Sequence, residues 1–165
     1  MADAYIVAAL RSAGGRKNGR LAKWHPIDLG AAVVDALVEK SGMAADKIDD
    51  LIFGCVSQVG AQGGNIARNV CLSSVLKEEV PGTTVDRQCG SGQQAMHFAA
   101  QAVMSGTQDV VIAGGVESMS RAPFVMGKAT EPFSRSAEIF DTTIGWRFVN
   151  KKMKDQYGID SMPET

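Results

Sequence analysis

Short apolar runs alternate with stretches of helical spacing along the chain as far as residue 115. Four apolar runs predict strands, namely Tyr5 to Leu10, Ile48 to Val56, Thr83 to Val85 and Asp109 to Gly115. Between them, apolar residues that recur every three or four positions predict helices over 26–41, 65–76 and 92–105. Strands that alternate with helices in this way are typical of right-handed βαβ units around a mainly parallel sheet, so the predicted fold class is α/β.

Particular residues mark the predicted helix ends. Pro26 suits the first turn of the first helix, and Gly42 and Gly106 lie where the first and third helices are expected to stop. The apolar stripe of the third helix consists of small residues and predicts close packing, and Met96 and Met104 on the same helix are predicted to fill the core.

The pattern changes after Ser120. Prolines and glycines interrupt isolated aromatic and mixed-charge residues, and no long periodic run follows until residues 144–157. This part of the chain is predicted to be an excursion from the core.

Composition narrows the class of protein. At 165 residues the chain can bury about two-thirds of its unfolded surface, which suffices for one core. Its 17 basic and 18 acidic side chains are scattered, so no charged stripe indicates binding to nucleic acid or to an anionic membrane. Three cysteines fit neither a disulfide framework nor a paired-cysteine zinc site, which favours a reducing compartment. An apolar run begins at Tyr5, and no stretch reaches membrane-spanning length, so the sequence predicts a soluble, cytoplasmic protein.

Cys89 is the candidate for chemistry, because it lies where a predicted strand gives way to a predicted helix. The free N–H groups and the dipole at a helix start favour the nucleophilic thiolate over the thiol. Gly90, Ser91 and Gly92 carry little bulk, so a substrate carbonyl can approach the backbone N–H groups. Asp86 opposes a thiolate and Arg87 offsets that effect, so the net shift is open.

The positions of the three cysteines in the sequence are also compatible with packing in the core instead of catalysis. Free cysteine is among the most buried residue types, and Cys55 and Cys71, which lie beside apolar neighbours, are predicted to belong to the core.

A cysteine nucleophile usually needs a base, and the histidines are His25 and His97. His97 follows Cys89 by eight residues, which is about 12 Å along a helix and beyond hydrogen-bond reach. Nothing local brings His25 near Cys89, and both histidines are more often structural. If Cys89 is catalytic, its base is predicted to lie outside these 165 residues.

Two other motifs compete for a functional role. Residues 90–95 match the G-x-G-x-x-A dinucleotide fingerprint, but the preceding strand is short and polar and no acidic residue closes the next strand. Glu117 follows a glycine turn at the predicted carboxyl edge of the sheet. It could act as an acid or base, but a carboxylate that accepts hydrogen bonds from backbone donors is favoured.

Three segments, taken in order, resemble the thiolase family. Gln88-Cys89-Gly90-Ser91-Gly92 resembles the family's acyl-accepting cysteine motif, and the segment from Ala113 to Ser120 resembles its next signature. The stretch from Gly54 to Arg68 resembles its early glycine-rich loop. The likeness runs from about Tyr5 to the last residue and is closest to acetyl-CoA acetyltransferases and 3-ketoacyl-CoA thiolases.

The resemblance implies two similar α/β halves with a loop domain inserted in the first. Residues 1–119 then form the N-terminal βαβαβ-type half, 120–165 begin the loop domain, and the C-terminal half, which supplies a histidine base and a second cysteine, is absent. Met162 resembles a methionine that lines the acyl site, and Gly90 is the other candidate for substrate binding. Ser161 and Asp86 depart from the residues that are common in the family.

The implied chemistry is acyl exchange through a thioester on Cys89. The substrates are acetyl-CoA, 3-ketoacyl-CoA and CoA, as in fatty acid metabolism and β-oxidation, with no metal or redox cofactor. The parent is expected to be a homodimer or homotetramer, and the isolated chain is expected to be inactive. A ketoacyl-synthase-like condensing enzyme and a non-catalytic acyl-CoA-binding or assembly module are the alternatives.

Overall fold

The computed structural model describes residues 3–144 and 148–160. The chain divides into two compact units, Met1–Arg121 and Ala122–Thr165. The predicted identity of the second unit, as the start of an inserted loop domain, stays a prediction.

The first unit contains a three-stranded parallel sheet. Its elements follow the order α1 (Pro26–Ser41), β1 (Asp50–Gly54), α2 (Ile66–Leu72), β2 (Gly82–Val85), α3 (Ser91–Ser105) and β3 (Val111–Gly115). β1 lies at the centre and pairs in parallel with both neighbours, Leu51 with Gly82 of β2 and with Ile112 of β3. The predicted α/β class with a parallel sheet is confirmed.

Side chains of β1 alternate between two apolar layers, as expected of a central strand. Leu51 and Phe53 belong to a buried cluster that also contains residues of α1, α2 and β3. Ile52 points to the other face and joins a smaller cluster with Ala95 and Ala99 of α3. The sheet therefore lies between α1 and α2 on one side and α3 on the other, and the predicted small-residue stripe of α3 is the face that packs on it.

The caps of the helices agree with the sequence signals. The His25 Nδ1 atom accepts a hydrogen bond from the Ile27 amide at 3.3 Å, which gives this histidine a structural role at the start of α1. Gly42 ends α1 at a φ of 67°, and Gly106 ends α3 at 74°, where a side chain would strain the backbone. Asn65 caps α2 by accepting from the Arg68 amide. α2 ends at Leu72, four residues before the predicted end.

The prediction of a buried strand from Tyr5 to Leu10 is wrong. The run is not assigned to a strand, and Tyr5 is 79% and Ile6 75% exposed. A strand needs a partner backbone on at least one side, and among residues 3–144 and 148–160 none pairs with this run. The predicted core positions of Met96 and Met104 are also wrong. Both side chains are exposed, because Ala95 and Ala99 form the face of α3 that packs on the sheet.

The second unit contains a short antiparallel hairpin and one helix. β4 (Phe124–Met126) pairs with β5 (Ile139–Asp141), and α4 spans Lys151–Tyr157. Phe140 and Phe148 place their ring centroids 4.8 Å apart in a tilted arrangement. The sequence pattern predicted helical character for 144–157 but did not predict the hairpin. In the described part of the chain, no helix has the length and apolar character needed to span a membrane.

Candidate active site

The carboxyl ends of the three parallel strands meet at one edge of the sheet. The Cys55 amide, just after β1, donates to Val85 O of β2 at 3.0 Å, and the Val116 amide, just after β3, donates to Gly54 O at 3.1 Å. The loops that follow β1, β2 and β3 therefore leave the sheet side by side. In parallel α/β sheets this edge is where ligands bind.

Cys89 lies in the loop between β2 and α3, two residues before the helix begins. It is exposed, whereas Cys55 and Cys71 are buried, at 1% and 0% exposure. The predicted core roles of Cys55 and Cys71 are thereby confirmed. Gly90 is the N-cap of α3, and its carbonyl accepts from the Gln94 amide at 2.9 Å. A thiol in this position lies next to the N–H groups of the first helical turn.

Hydrogen bonds fold the Cys89 loop tightly on itself. The Asp86 carboxylate accepts from the Gln88 amide at 2.8 Å. The Ser91 hydroxyl accepts from the Arg87 amide at 2.8 Å and donates to the Gln88 carbonyl at 2.5 Å. The Arg87 guanidinium donates to the Gln94 side chain of α3. Both sides of Cys89 are therefore tied to one another across the loop.

Glu117 is a hydrogen-bond acceptor that joins two of the three loops. Its carboxylate accepts from the Val56 amide at 2.7 Å, the Ser57 amide at 3.3 Å and the Gln62 side-chain amide at 2.9 Å. The interpretation of Glu117 as a carboxylate satisfied by backbone donors is confirmed. Burial, and then the neighbouring Glu117 carboxylate, raise the pKa of the Cys55 thiol to about 12. Cys55 is therefore a neutral thiol near pH 7.

Gln62 is a site residue that the sequence did not indicate. Only 3% of it is exposed, and its side chain donates to Ser57 O and to Glu117 while accepting from the Ser118 amide. It therefore crosses from the loop after β1 to the loop after β3. The glycine-rich loop contains two glutamines, Gln58 and Gln62, and nothing in the sequence distinguishes the buried one from a residue of a solvent-exposed turn.

The comparisons with known proteins agree with this arrangement. A family model described as "Thiolase, N-terminal domain" matches residues 4–161. The chain belongs to the thiolase family. Among its relatives is a β-ketoadipyl-CoA thiolase of Escherichia coli, 52% identical over 166 residues that cover 100% of this chain and 41% of the relative.

One further relative and one solved structure have other substrates in their names. The steroid 3-ketoacyl-CoA thiolase FadA6 of Mycobacterium tuberculosis is 52% identical over 123 residues, which cover 74% of this chain and 30% of the relative. The crystal structure of the Bacillus anthracis acetyl-CoA acetyltransferase superposes with a TM-score of 0.76 at 35% identity, covering 83% of this chain and 35% of that one. The thiolase chain spans about two-fifths of the length of the Escherichia coli β-ketoadipyl-CoA thiolase.

The remaining candidate residues of the thiolase chain are distributed as follows. His97 is exposed on α3, eight positions after Cys89, and His25 caps α1. Met162 and Ser161 lie outside the described residues. Within residues 3–144 and 148–160, no group of three or more His, Cys, Asp or Glu side chains is placed to hold a metal ion. The site that the structure describes is therefore the Cys89 loop and the two loops beside it.

Proposed function

We propose that Cys89 carries the acyl group in a CoA-dependent acyl transfer, the reversible thiolytic cleavage and Claisen condensation of 3-ketoacyl-CoA and acetyl-CoA. The observation that carries this proposal is the contrast among three thiols in a thiolase-family chain. Cys89 is exposed beside a helix start, while Cys55 and Cys71 are buried and their pKa values are raised. Only a thiol that can both ionise and reach a substrate can be acylated.

The reaction requires two steps. In cleavage, the Cys89 thiolate attacks the 3-keto carbon, the bond between the α and β carbons breaks, and the departing carbanion takes a proton to become acetyl-CoA. A CoA thiolate then attacks the enzyme thioester, which releases a shortened acyl-CoA and restores the Cys89 thiolate. Condensation is the reverse. The first step replaces a carbon–carbon bond by a thioester on Cys89 and protonates the departing carbanion, and the second step exchanges one thioester for another. Neither step oxidises or reduces the pair of reactants overall, so the chemistry requires no metal and no redox cofactor.

The base of this reaction lies outside the Cys89 loop. His25 accepts a hydrogen bond at the start of α1, and His97 lies six residues beyond Ser91, the first residue of α3, which is about 9 Å along the helix axis at 1.5 Å per residue. We therefore expect the 165-residue chain alone to be inactive. Turnover of acetoacetyl-CoA and CoA by this chain alone would contradict the claim of a missing base.

The names of the relatives favour one class of substrate. The β-ketoadipyl-CoA thiolases of Escherichia coli and Pseudomonas putida are 52% and 49% identical to the whole chain. We propose that the complete protein cleaves a 3-ketoacyl-CoA whose acyl chain ends in a carboxylate. Comparing kcat/KM for 3-ketoadipyl-CoA with that for an uncharged 3-ketoacyl-CoA of the same length tests this, and a preference for the uncharged substrate would contradict it.

The proposed assembly is a homodimer or homotetramer in the cytoplasm. β2 is an edge strand of the described sheet, and an edge strand can pair with a strand of a second copy. Three free cysteines are compatible with a reducing compartment. Sedimentation of the complete protein tests the assembly, and a monomer would contradict it.

Alkylation tests the role of Cys89 directly. In the complete protein, iodoacetamide at neutral pH is expected to label Cys89 faster than Cys55 or Cys71, as mapped by mass spectrometry, and to abolish turnover in parallel. Cys89→Ser is expected to abolish turnover, and Cys71→Ser is the matched control at a buried thiol. Turnover that survives in Cys89→Ser would rule out the proposed nucleophile.

A further inference from the structure

The residue before Cys89 has an unusual backbone conformation. Gln88 adopts a φ of +51°, in the left-handed region that residues other than glycine rarely enter. Gln88 is exposed, so no core packing of its side chain explains this conformation. Strain of this kind persists only where the surrounding structure holds it, and it concentrates at functional sites.

Hydrogen bonds hold Gln88 from both of its peptide groups. Its amide donates to the Asp86 carboxylate at 2.8 Å. Its carbonyl accepts from the Ser91 hydroxyl at 2.5 Å and from the Ser91 amide at 3.0 Å. Asp86 and Ser91 thus fix the orientation of the two peptide planes that lead into Cys89.

Ser91 also ties the start of α3 to the beginning of the loop. Its hydroxyl accepts from the Arg87 amide at 2.8 Å, and only 4% of the residue is exposed. Cys89, between these bonded residues, remains exposed. The loop therefore has a buried side, which Ser91 holds, and an exposed side, which presents the thiol.

We propose that Asp86 and Ser91 are positioning residues that hold a strained turn at Gln88 and thereby aim the Cys89 thiol at the substrate. The proposal rests on the proposed function, because it assigns these two side chains to the presentation of the acyl-carrying thiol. A sharp, strained turn between strand and helix is also how a serine nucleophile is exposed in unrelated hydrolases. Neither Asp86 nor Ser91 is a catalytic residue here, since each acts through the backbone beside Cys89.

Ser91 is tested in the complete protein with two variants and one control. Ser91→Ala removes both hydroxyl contacts and is expected to lower kcat, and the rate of Cys89 alkylation, by about tenfold with KM nearly unchanged. Ser91→Thr keeps the hydroxyl and is expected to restore most of both rates. Ser105→Ala removes a hydroxyl that bonds Ala102 O at 2.9 Å near the other end of the same helix, and is expected to leave both rates unchanged.

Two variants of Asp86 separate the effect of its hydrogen bond to the Gln88 amide from the effect of its negative charge. Asp86→Asn keeps an oxygen that can accept from the Gln88 amide, so kcat is expected to stay within about threefold of the wild type, whereas Asp86→Ala is expected to lose about tenfold. Equal losses in the two variants would overturn the role assigned to Asp86.

The outcomes distinguish this proposal from the proposed function. If Cys89→Ser abolishes turnover but Ser91→Ala has wild-type kcat and wild-type alkylation, the nucleophile stands and the positioning role of Ser91 is wrong. If Cys89→Ser retains turnover, the proposed function itself fails. Thermal unfolding of each variant identifies a loss of folded protein, and a fall in kcat that matches the fall in folded fraction would count against positioning.

Discussion

A β-carbon on Gly54, the last residue of β1, would lie 2.4 Å from the backbone nitrogen of Gly92 in the first turn of α3. No real contact between such atoms is this short, and the atoms of Gly92 belong to the backbone, so they cannot turn away. The close approach of β1 to α3 therefore requires glycine at residue 54. This close approach also places the start of α3, and with it the Cys89 loop, in direct contact with the end of β1.

We expect Gly54→Ala to destabilise the fold by about 1–3 kcal/mol and to slow the alkylation of Cys89, because α3 must move away from the sheet. Gly82→Ala is the matched control, since its β-carbon would lie 2.6 Å from the Arg68 nitrogen, at the contact between β2 and α2. We expect that variant to lose comparable stability by urea denaturation while its folded form keeps the wild-type alkylation rate. If Cys89 alkylation slowed equally in both variants, the contact between Gly54 and Gly92 would have no particular effect on Cys89.

The raised pKa of Cys55 predicts a loss of stability at high pH. The thiol has a pKa of about 12 in the folded chain against an ordinary value of 9.0, so its contribution is full below pH 9 and is lost as the pH rises towards 12. The difference in unfolding free energy between wild type and Cys55→Ala should therefore shrink between pH 8 and pH 10.5. Urea denaturation at both values measures it. A constant difference would contradict the raised pKa.

Asp49 predicts the opposite dependence, at low pH. Its carboxylate accepts from the Val110 amide at 3.0 Å and the Asp109 amide at 2.7 Å, and these bonds lower its pKa below the ordinary 3.8. The stabilisation is present above that ordinary value and is lost as the pH falls through the lowered one.

Asp49→Ala should accordingly lower the unfolding midpoint at pH 7, and the deficit should diminish towards pH 2.5. Asp46, an exposed carboxylate three residues earlier, supplies the control variant Asp46→Ala. A deficit that persists undiminished at pH 2.5 would mean that the carboxylate charge has no part in holding the start of β3.

The bridge between Gln62 and Glu117 predicts a coupling between two loops. Gln62→Ala removes a buried side chain that contacts Ser57, Glu117 and Ser118, and should cost about 1–3 kcal/mol of unfolding free energy. A double-mutant cycle with Glu117→Ala should give an interaction energy of about 1 kcal/mol, because the two side chains share a hydrogen bond. The same cycle with Glu78→Ala, at an exposed position, should be additive. Additivity of Gln62 with Glu117 would contradict the bridge.

Local signals predicted those parts of the fold that depend on local chemistry. Gly42 and Gly106 mark helix ends because the left-handed conformation excludes most side chains, and this is visible in a single residue. The exposure of Cys89 also agrees with its place at a predicted strand-to-helix junction.

Features that depend on partners distant in sequence could not be predicted in the same way. Gln62 and Glu117 are 55 residues apart, and their contact exists only once β1 and β3 lie side by side. Tyr5 to Leu10 has the apolar pattern of a buried strand, but the pattern does not say which backbone would cover it. Gln88 is an ordinary residue in the sequence, and its strain arises from bonds to Asp86 and Ser91.

The exposed run from Tyr5 to Leu10 has a consequence for synthesis on the ribosome. Its large apolar side chains face solvent and its backbone is paired with no strand in the described part of the chain, which is the kind of segment that pairs with other chains. The β-ketoadipyl-CoA thiolase relative is about two and a half times as long as this chain. At roughly 5–20 residues per second, a ribosome needs about 10–50 s to add the rest of a chain of that length. While a chain of that length is being synthesised, an uncovered apolar run of this kind is open to pairing with neighbouring nascent chains, and slower elongation lengthens the exposure.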